Sequence, residues 1–106
     1  MARPLVNLPS RVKRGDIVEV KTLASHPMET GFRAGLNGAL IPRDIVTTFT
    51  CAYNGVEVFR ADLTPAMAAN PYITFTTVAV ESGTLTFTWA GDKGFAAVAT
   101  ADIVVE

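Results

Sequence analysis

Residues 45–61 of the chain read Ile-Val-Thr-Thr-Phe-Thr-Cys-Ala-Tyr-Asn-Gly-Val-Glu-Val-Phe-Arg-Ala. The odd-numbered side chains from Ile45 to Tyr53 share one face of an extended strand, and the even-numbered ones share the other. The pair Asn54-Gly55 favours a type I′ turn, because both central residues of that turn take positive φ. The stretch therefore predicts a β-hairpin, and it contains the only cysteine of the chain, Cys51.

Alternation of this kind recurs along most of the chain. Besides the two arms of the hairpin, 45–53 and 56–61, strands are predicted for residues 5–8, 16–23, 72–80, 84–90 and 95–105. Leu85, Phe87 and Trp89 are expected to point into the core. About seven antiparallel strands with turn signals at regular spacing predict an all-β fold, an immunoglobulin-like β-sandwich. A length of 106 residues predicts one domain, residues 1–106.

Two segments depart from this pattern. Residues 24–44 have no sustained period, and Gly35-Leu36-Asn37-Gly38 predicts the tip of a small hairpin. Long connections within a compact domain are usually functional or carry structure of their own. The apolar residues of this connection either pack back over the sandwich or face a partner chain: Phe32, Leu36, Leu40 and Ile41. Residues 64–70 are the one helix-compatible segment, with Thr64 as the cap and Pro71 as the stop.

Composition limits the chemistry. Half of the residues are apolar and 18% are charged, which argues against disorder. One cysteine excludes an internal disulfide and any multi-cysteine metal site. Residues 1–44 hold seven basic and four acidic side chains, whereas residues 45–106 hold two and six. The basic cluster at residues 11–14 is interpreted as a solvated strand edge, or alternatively as a docking patch for an acidic partner. No signal peptide is predicted at the N-terminus, so the sequence by itself favours the cytoplasm.

The remaining candidates for chemistry are weak. Cys51 would need exposure and nearby positive charge to act as a nucleophile, but its neighbours on the same face are Phe49 and Tyr53, which predicts a buried thiol. His26 lacks the partners of a catalytic triad and is expected to hydrogen-bond backbone and order the 24–44 connection. A blue-copper site needs two histidines, and the chain has one. Ion pairs across the hairpin are predicted between Arg43-Asp44 on one side and Arg60 and Asp62 on the other.

Several motifs together resemble a known family. They are His26-Pro27-Met28-Glu29-Thr30-Gly31, Ile41-Pro42-Arg43, Phe49-Thr50-Cys51-Ala52-Tyr53-Asn54-Gly55-Val56-Glu57-Val58-Phe59, Ala61-Asp62-Leu63, Ala68-Ala69-Asn70-Pro71-Tyr72, Glu81-Ser82-Gly83-Thr84-Leu85 and Phe87-Thr88-Trp89. In this order they resemble SoxZ, the Z subunit of the Sox (sulfur-oxidation) YZ carrier complex. The resemblance extends from about Gly15 to Val104.

The resemblance implies an immunoglobulin-like subunit that is not an enzyme and needs no cofactor or metal. It implies a heterodimer with the Y subunit, which carries covalent sulfur intermediates on a cysteine of its C-terminal tail during thiosulfate oxidation. It also implies transient contacts with periplasmic Sox enzymes and export to the periplasm together with the Y subunit. The isolated chain is expected to form a homodimer, and neither nucleic acid nor membrane is expected as a partner.

The surface for the Y subunit is predicted in the long connection. The candidate interface residues are His26, Met28, Glu29, Phe32, Arg33, Ile41 and Arg43. The last six residues contain no glycine-rich tail with a cysteine, which agrees with the reactive thiol that the resemblance implies on the Y subunit. The alternative hypothesis is a redox or sulfur-transfer protein that acts through Cys51.

Overall fold

The structure is a computed structural model that describes residues 4–106, and it contains two β-sheets that pack face to face. One sheet has the strand order β1-β3-β6, and the other has the order β2-β8-β7-β4-β5. The strands are β1 (Leu5–Asn7), β2 (Arg11–Val12), β3 (Ile17–Leu23), β4 (Val46–Tyr53), β5 (Val56–Asp62), β6 (Tyr72–Val78), β7 (Gly83–Gly91) and β8 (Ala96–Val105). The predicted immunoglobulin-like β-sandwich is confirmed.

The core lies between the sheets and follows the alternation of the strands. Val18 and Val20 of β3, Phe49 and Cys51 of β4, and the predicted trio Leu85, Phe87 and Trp89 of β7 are buried. Phe49 contacts the rings of Trp89, Phe87, Phe75 and Phe59, with centroids 5.0–6.4 Å apart. Aromatic side chains bury the largest apolar area per residue, so this cluster contributes strongly to the stability of the sandwich.

The central hairpin has the predicted turn. Asn54 and Gly55 have φ values of 48° and 84°, the positive values that a type I′ turn requires. In β4, Cys51 pairs with Phe59 of β5 on one side and with Phe87 of β7 on the other. β4 is therefore an interior strand of its sheet, with a hydrogen-bonded neighbour on each side.

Seven of the eight strands match the predicted ones, and every pairing among these seven is antiparallel. The eighth, β2, was not predicted: Arg11–Val12 pairs in parallel with the end of β8. The basic cluster at residues 11–14 therefore begins on a sheet edge. Two residues give no alternation that could have revealed such a strand.

The predicted helix at residues 64–70 is wrong. This segment forms turns, and the part of the chain that the structure describes contains only one short helical element, the 3₁₀ turn Asp92–Gly94. The Thr64 hydroxyl accepts from the amide of Ala66 within a local turn, and Asn70 has a φ of +53°. Asn70 also accepts from the amide of His26 with its side-chain oxygen, so a tertiary contact competes with the helix.

The two ends of the sandwich carry different connections and turns. The 24–44 connection joins β3 to β4 at the end that also carries the Asp92–Gly94 turn. The Asn54-Gly55 turn lies at the opposite end, where Asn54 contacts the start of β7 through the amide of Thr84. Within residues 4–106 no helix has the length and apolar character needed to cross a membrane.

Candidate partner-binding surface

His26 fixes the base of the 24–44 connection. Its side chain is 5% exposed, and its Nδ1 accepts a hydrogen bond of 2.9 Å from the amide of Met28. The backbone of His26 is held by Asn70 twice, through the amide oxygen of the side chain and through the main-chain N–H. The ring also lies edge-on against Phe95, with centroids 4.7 Å apart. His26 is thus the ordering residue that the sequence predicted.

Met28 and Glu29 attach the connection to the start of β4. Met28 is buried at a φ of +53°, and its sulfur accepts from the amide of Val46 at 3.2 Å. Glu29 and Asp44 exchange both backbone hydrogen bonds, each 2.8 Å long. Gly31 follows at a φ of +89°, where an added Cβ would lie 3.0 Å from the Cβ of Arg43. A side chain at position 31 would therefore be strained by the positive φ and would require Arg43 to shift by a few tenths of an ångström.

Residues 29–44 form a hairpin of their own, which we call the loop hairpin. Beyond the Glu29–Asp44 pair, the amide of Ile41 donates to the carbonyl of Arg33, and Ala34 bridges to Leu40. The amide of Gly38 donates to the carbonyl of Gly35, which closes the tip. The small hairpin predicted at residues 35–38 is confirmed.

Two ion pairs hold the loop hairpin in place. Arg33 donates to Glu29 at 2.6 Å, which lowers the pKa of that carboxyl below its usual value. Arg43 donates to Asp92 at 2.8 Å, and Asp92 also accepts from the amide of Ile45, so its pKa is lowered as well. Exposed pairs contribute little stability, but these two set the orientation of the hairpin arms.

The predicted pairing of Arg43-Asp44 with residues 60 and 62 is wrong. Arg43 reaches Asp92 in the β7–β8 turn, and Asp44 lies beside His26. Arg60 instead approaches Glu57 and Asp62 of its own strand, at 3.8 and 3.7 Å. The sequence placed these charges on the correct elements, but only the sheet order decides which turn faces which arm.

The apolar side chains of the loop hairpin face solvent. Phe32 is 80% exposed, Leu36 is fully exposed and Leu40 is 64% exposed, whereas Ile41 is half-buried. Of the predicted interface residues, His26 and Met28 are buried, Glu29 and Ile41 are half-buried, and Phe32, Arg33 and Arg43 are exposed. His26 and Met28 thus act on the surface through the position they give to the hairpin.

A second apolar surface lies at the opposite end of the sandwich. A groove of about 530 Å³ opens between β5 and β6, lined by Tyr53, Asn54, Val56, Val58, Thr77, Val78, Val80 and Glu81. Val56 and Val80 are 66% and 51% exposed. The stacked rings of Phe59 and Phe75 close the gap between these strands farther along, with centroids 4.4 Å apart. Sequence reasoning missed this groove, because its two walls are distant in sequence and meet only through the sheet packing.

Cys51 is fully buried, and burial raises the pKa of its thiol to about 11. A thiol with a raised pKa is a poor nucleophile near neutral pH, because little thiolate is present. Among residues 4–106, no three His, Cys, Asp or Glu side chains are grouped so that they could hold a metal ion.

Solved structures with the same fold include superoxide reductases and a sulfur carrier protein. A superoxide reductase (neelaredoxin) from Ignicoccus hospitalis is similar over 99% of this chain and 81% of its own, with 21% identity and a TM-score of 0.76. A putative superoxide reductase from Thermotoga maritima is similar over 97% of this chain and 85% of its own, with 17% identity and a TM-score of 0.72.

The sulfur carrier protein SoxY from Chlorobium limicola f thiosulfatophilum is similar over 100% of this chain and 81% of its own, with 16% identity and a TM-score of 0.68. At these identities the similarity shows the fold alone. No curated protein matches the chain.

The family comparison is decisive, because it covers nearly the whole sandwich. The model of the family described as sulphur oxidation protein SoxZ matches residues 6–102, from β1 into β8. The chain therefore belongs to the SoxZ family.

Proposed function

We propose that this chain is the non-catalytic Z subunit of a SoxYZ sulfur carrier complex. In this role it binds the Y subunit, which holds sulfur intermediates covalently on its C-terminal cysteine during thiosulfate oxidation. The observation that carries the proposal is membership of the SoxZ family over residues 6–102. The proposed compartment is the periplasm, reached together with the Y subunit, and the other partners are the Sox enzymes that act on the carrier.

The state of Cys51 supports a scaffold role. A thiol that carries sulfur must be reached by successive enzymes and must be available as thiolate. Cys51 is the only thiol of the chain, is fully buried and has a raised pKa. These properties argue against the alternative, a sulfur-transfer protein that acts through Cys51, and they leave the reactive thiol to the partner.

The loop hairpin is the proposed surface for the Y subunit. Its exposed apolar residues, Phe32, Leu36 and Leu40, stand on a base fixed by hydrogen bonds and ion pairs. Exposed apolar side chains on an ordered frame are typical of partner surfaces, since little entropy is lost when they are covered. The same surface is proposed to support a homodimer when the chain is isolated.

The first experiment mixes the purified chain with a Y subunit and measures co-elution by size exclusion and affinity by calorimetry. A stable complex with one copy of each chain is expected. Separate elution at micromolar concentrations would overturn the proposed function.

The site is tested with matched variants. Phe32→Asp and Ile41→Asp are expected to weaken Y binding at least tenfold and to affect folding less than binding. Val56→Asp, which places the same charge in the groove at the other end, is the control and should bind normally. If Val56→Asp weakens binding and Phe32→Asp does not, the Y subunit binds the groove. An equal loss of folding and binding in the hairpin variants would show that the hairpin packs into its own core.

A further inference from the structure

His26 holds the base of the loop hairpin in a form that depends on its protonation. Its Nδ1 accepts from the amide of Met28 at 2.9 Å. A ring nitrogen accepts a hydrogen bond only when it carries no proton, so the ring in this structure is neutral, with its proton on Nε2. The Nε2 atom lies 3.6 Å from a carboxylate oxygen of Asp44. A second proton on the ring has only one place to go, which is Nδ1.

The groups around the ring decide how it responds to acid. Asp44 faces Nε2, and the β7–β8 turn contributes Asp92 and Lys93 to the same cleft of about 320 Å³. Arg43 offsets Asp92, to which it is hydrogen-bonded, while Phe95 covers one side of the ring without charge. On the connection itself, Glu29 is paired with Arg33. The cleft leads from solvent to the imidazole, and the carboxylate of Asp44 attracts a positive charge there.

We propose that protonation of His26 releases the loop hairpin from the sandwich. A proton on Nδ1 removes the acceptor of the Met28 amide and sets two N–H donors against each other at hydrogen-bond distance. Asp44 stabilises the imidazolium, but it contacts Nε2 and cannot restore the lost acceptor.

Loss of the Met28 hydrogen bond affects the rest of the base of the loop hairpin through two further contacts. Met28 holds a positive φ, which an unbranched side chain adopts only with support from its surroundings, and its sulfur accepts from the amide of Val46. The next contact is the Glu29–Asp44 backbone pair, from which the loop hairpin extends. Loss of the His26–Met28 contact therefore loosens the frame that carries Phe32 and Leu36.

The test is amide hydrogen exchange of the isolated chain at pH 7.5 and 5.5, corrected for the intrinsic pH dependence of exchange. Protection of the Met28 and Asp44 amides is expected to fall about tenfold at the lower pH, while protection of the central strand β4 stays constant. His26→Asn is the matched control, because its side-chain oxygen can take the place of Nδ1 as the acceptor without titrating. Its protection factors should not depend on pH.

Two results would overturn the proposal. One is constant protection of Met28 in the wild-type chain across this range, and the other is an equal pH response in His26→Asn. If His26→Asn does not fold, ¹⁵N spectra of the wild-type imidazole decide: a protonated ring with the Met28 amide still protected refutes the release.

The consequence for Y binding rests on the proposed function and is measured separately. We expect wild-type affinity for the Y subunit to fall about tenfold from pH 7.5 to 5.5, and that of His26→Asn to change less than twofold. If amide exchange depends on pH but the Y subunit does not bind, the proposed release of the hairpin is supported and the proposed function is wrong. Loss of affinity in both proteins alike would assign the pH effect to the Y subunit.

Discussion

The thiol of Cys51 should resist modification in the native protein. Near pH 8, an ordinary thiol with a pKa of about 8.5 is roughly one-quarter ionised, whereas a pKa of about 11 leaves about one thiolate in a thousand. Ionisation alone therefore slows the reaction about 200-fold. Access slows it further, because the side chain is fully buried and β4 is paired on both sides by β5 and β7.

The assay compares the labelling rate by an aromatic disulfide reagent in native buffer and in guanidinium chloride. A Cys51→Ala chain that carries Thr74→Cys, an exposed position on β6, is the control and should react at nearly the unfolded rate in both solvents. Native Cys51 should react at least 200-fold more slowly than unfolded Cys51, and its rate should rise about tenfold per pH unit above pH 8. A native rate within tenfold of the unfolded rate would refute the burial argument and restore Cys51 as a candidate carrier.

Three further predictions concern contacts that hold the sandwich together. Tyr53→Phe removes a hydroxyl that donates to the carbonyl of Glu81 and accepts from two amides. We expect the free energy of unfolding to fall by about 1–3 kcal/mol, which calorimetry would detect as a lower Tm. Tyr72→Phe, at an exposed position, is the control and should leave the Tm unchanged. Gly91→Ala places a Cβ 2.4 Å from the carbonyl oxygen of Ile45; a loss of about 2–3 kcal/mol in chemical unfolding is expected, and an unchanged midpoint would contradict this contact. Asp92→Asn removes a carboxyl whose pKa is lowered by Arg43, so the wild type should lose stability as the pH falls below about 4 and the variant should lose less, as followed by Tm against pH.

Much of the fold was predictable, because the core follows from local alternation. Leu85, Phe87 and Trp89 occupy every second position of one strand, and all three are buried as predicted. The Asn54-Gly55 turn was equally clear, since few residue pairs tolerate two positive φ values. The helix at residues 64–70 failed for the opposite reason: its local signals were sound, but Asn70 is engaged by His26, 44 residues away.

The loop hairpin stays a predicted partner surface, and the structure shows which of its residues are exposed. Apolar residues in an irregular stretch pointed to the loop hairpin, and Phe32, Leu36 and Leu40 are indeed exposed. The sequence did not separate these surface residues from His26 and Met28, which lie beneath them. Burial in a loop depends on which turn packs against it, and here that is the Asp92–Gly94 turn, whose approach follows from the sheet order.

Sequence alone determined the sandwich, its seven antiparallel strands, the buried thiol and the resemblance to the SoxZ family. The strands and the burial of the thiol follow from residue spacing and need only the neighbours along the chain, whereas the resemblance rests on motifs in a fixed order. Tertiary structure decided what lies opposite what: Arg43 against Asp92, His26 beneath the loop hairpin, and β5 beside β6 around an open groove. Arg43 and Asp92 are 49 positions apart, and the other arrangements depend on how the sheets pack and on the order of their strands, which no local period encodes.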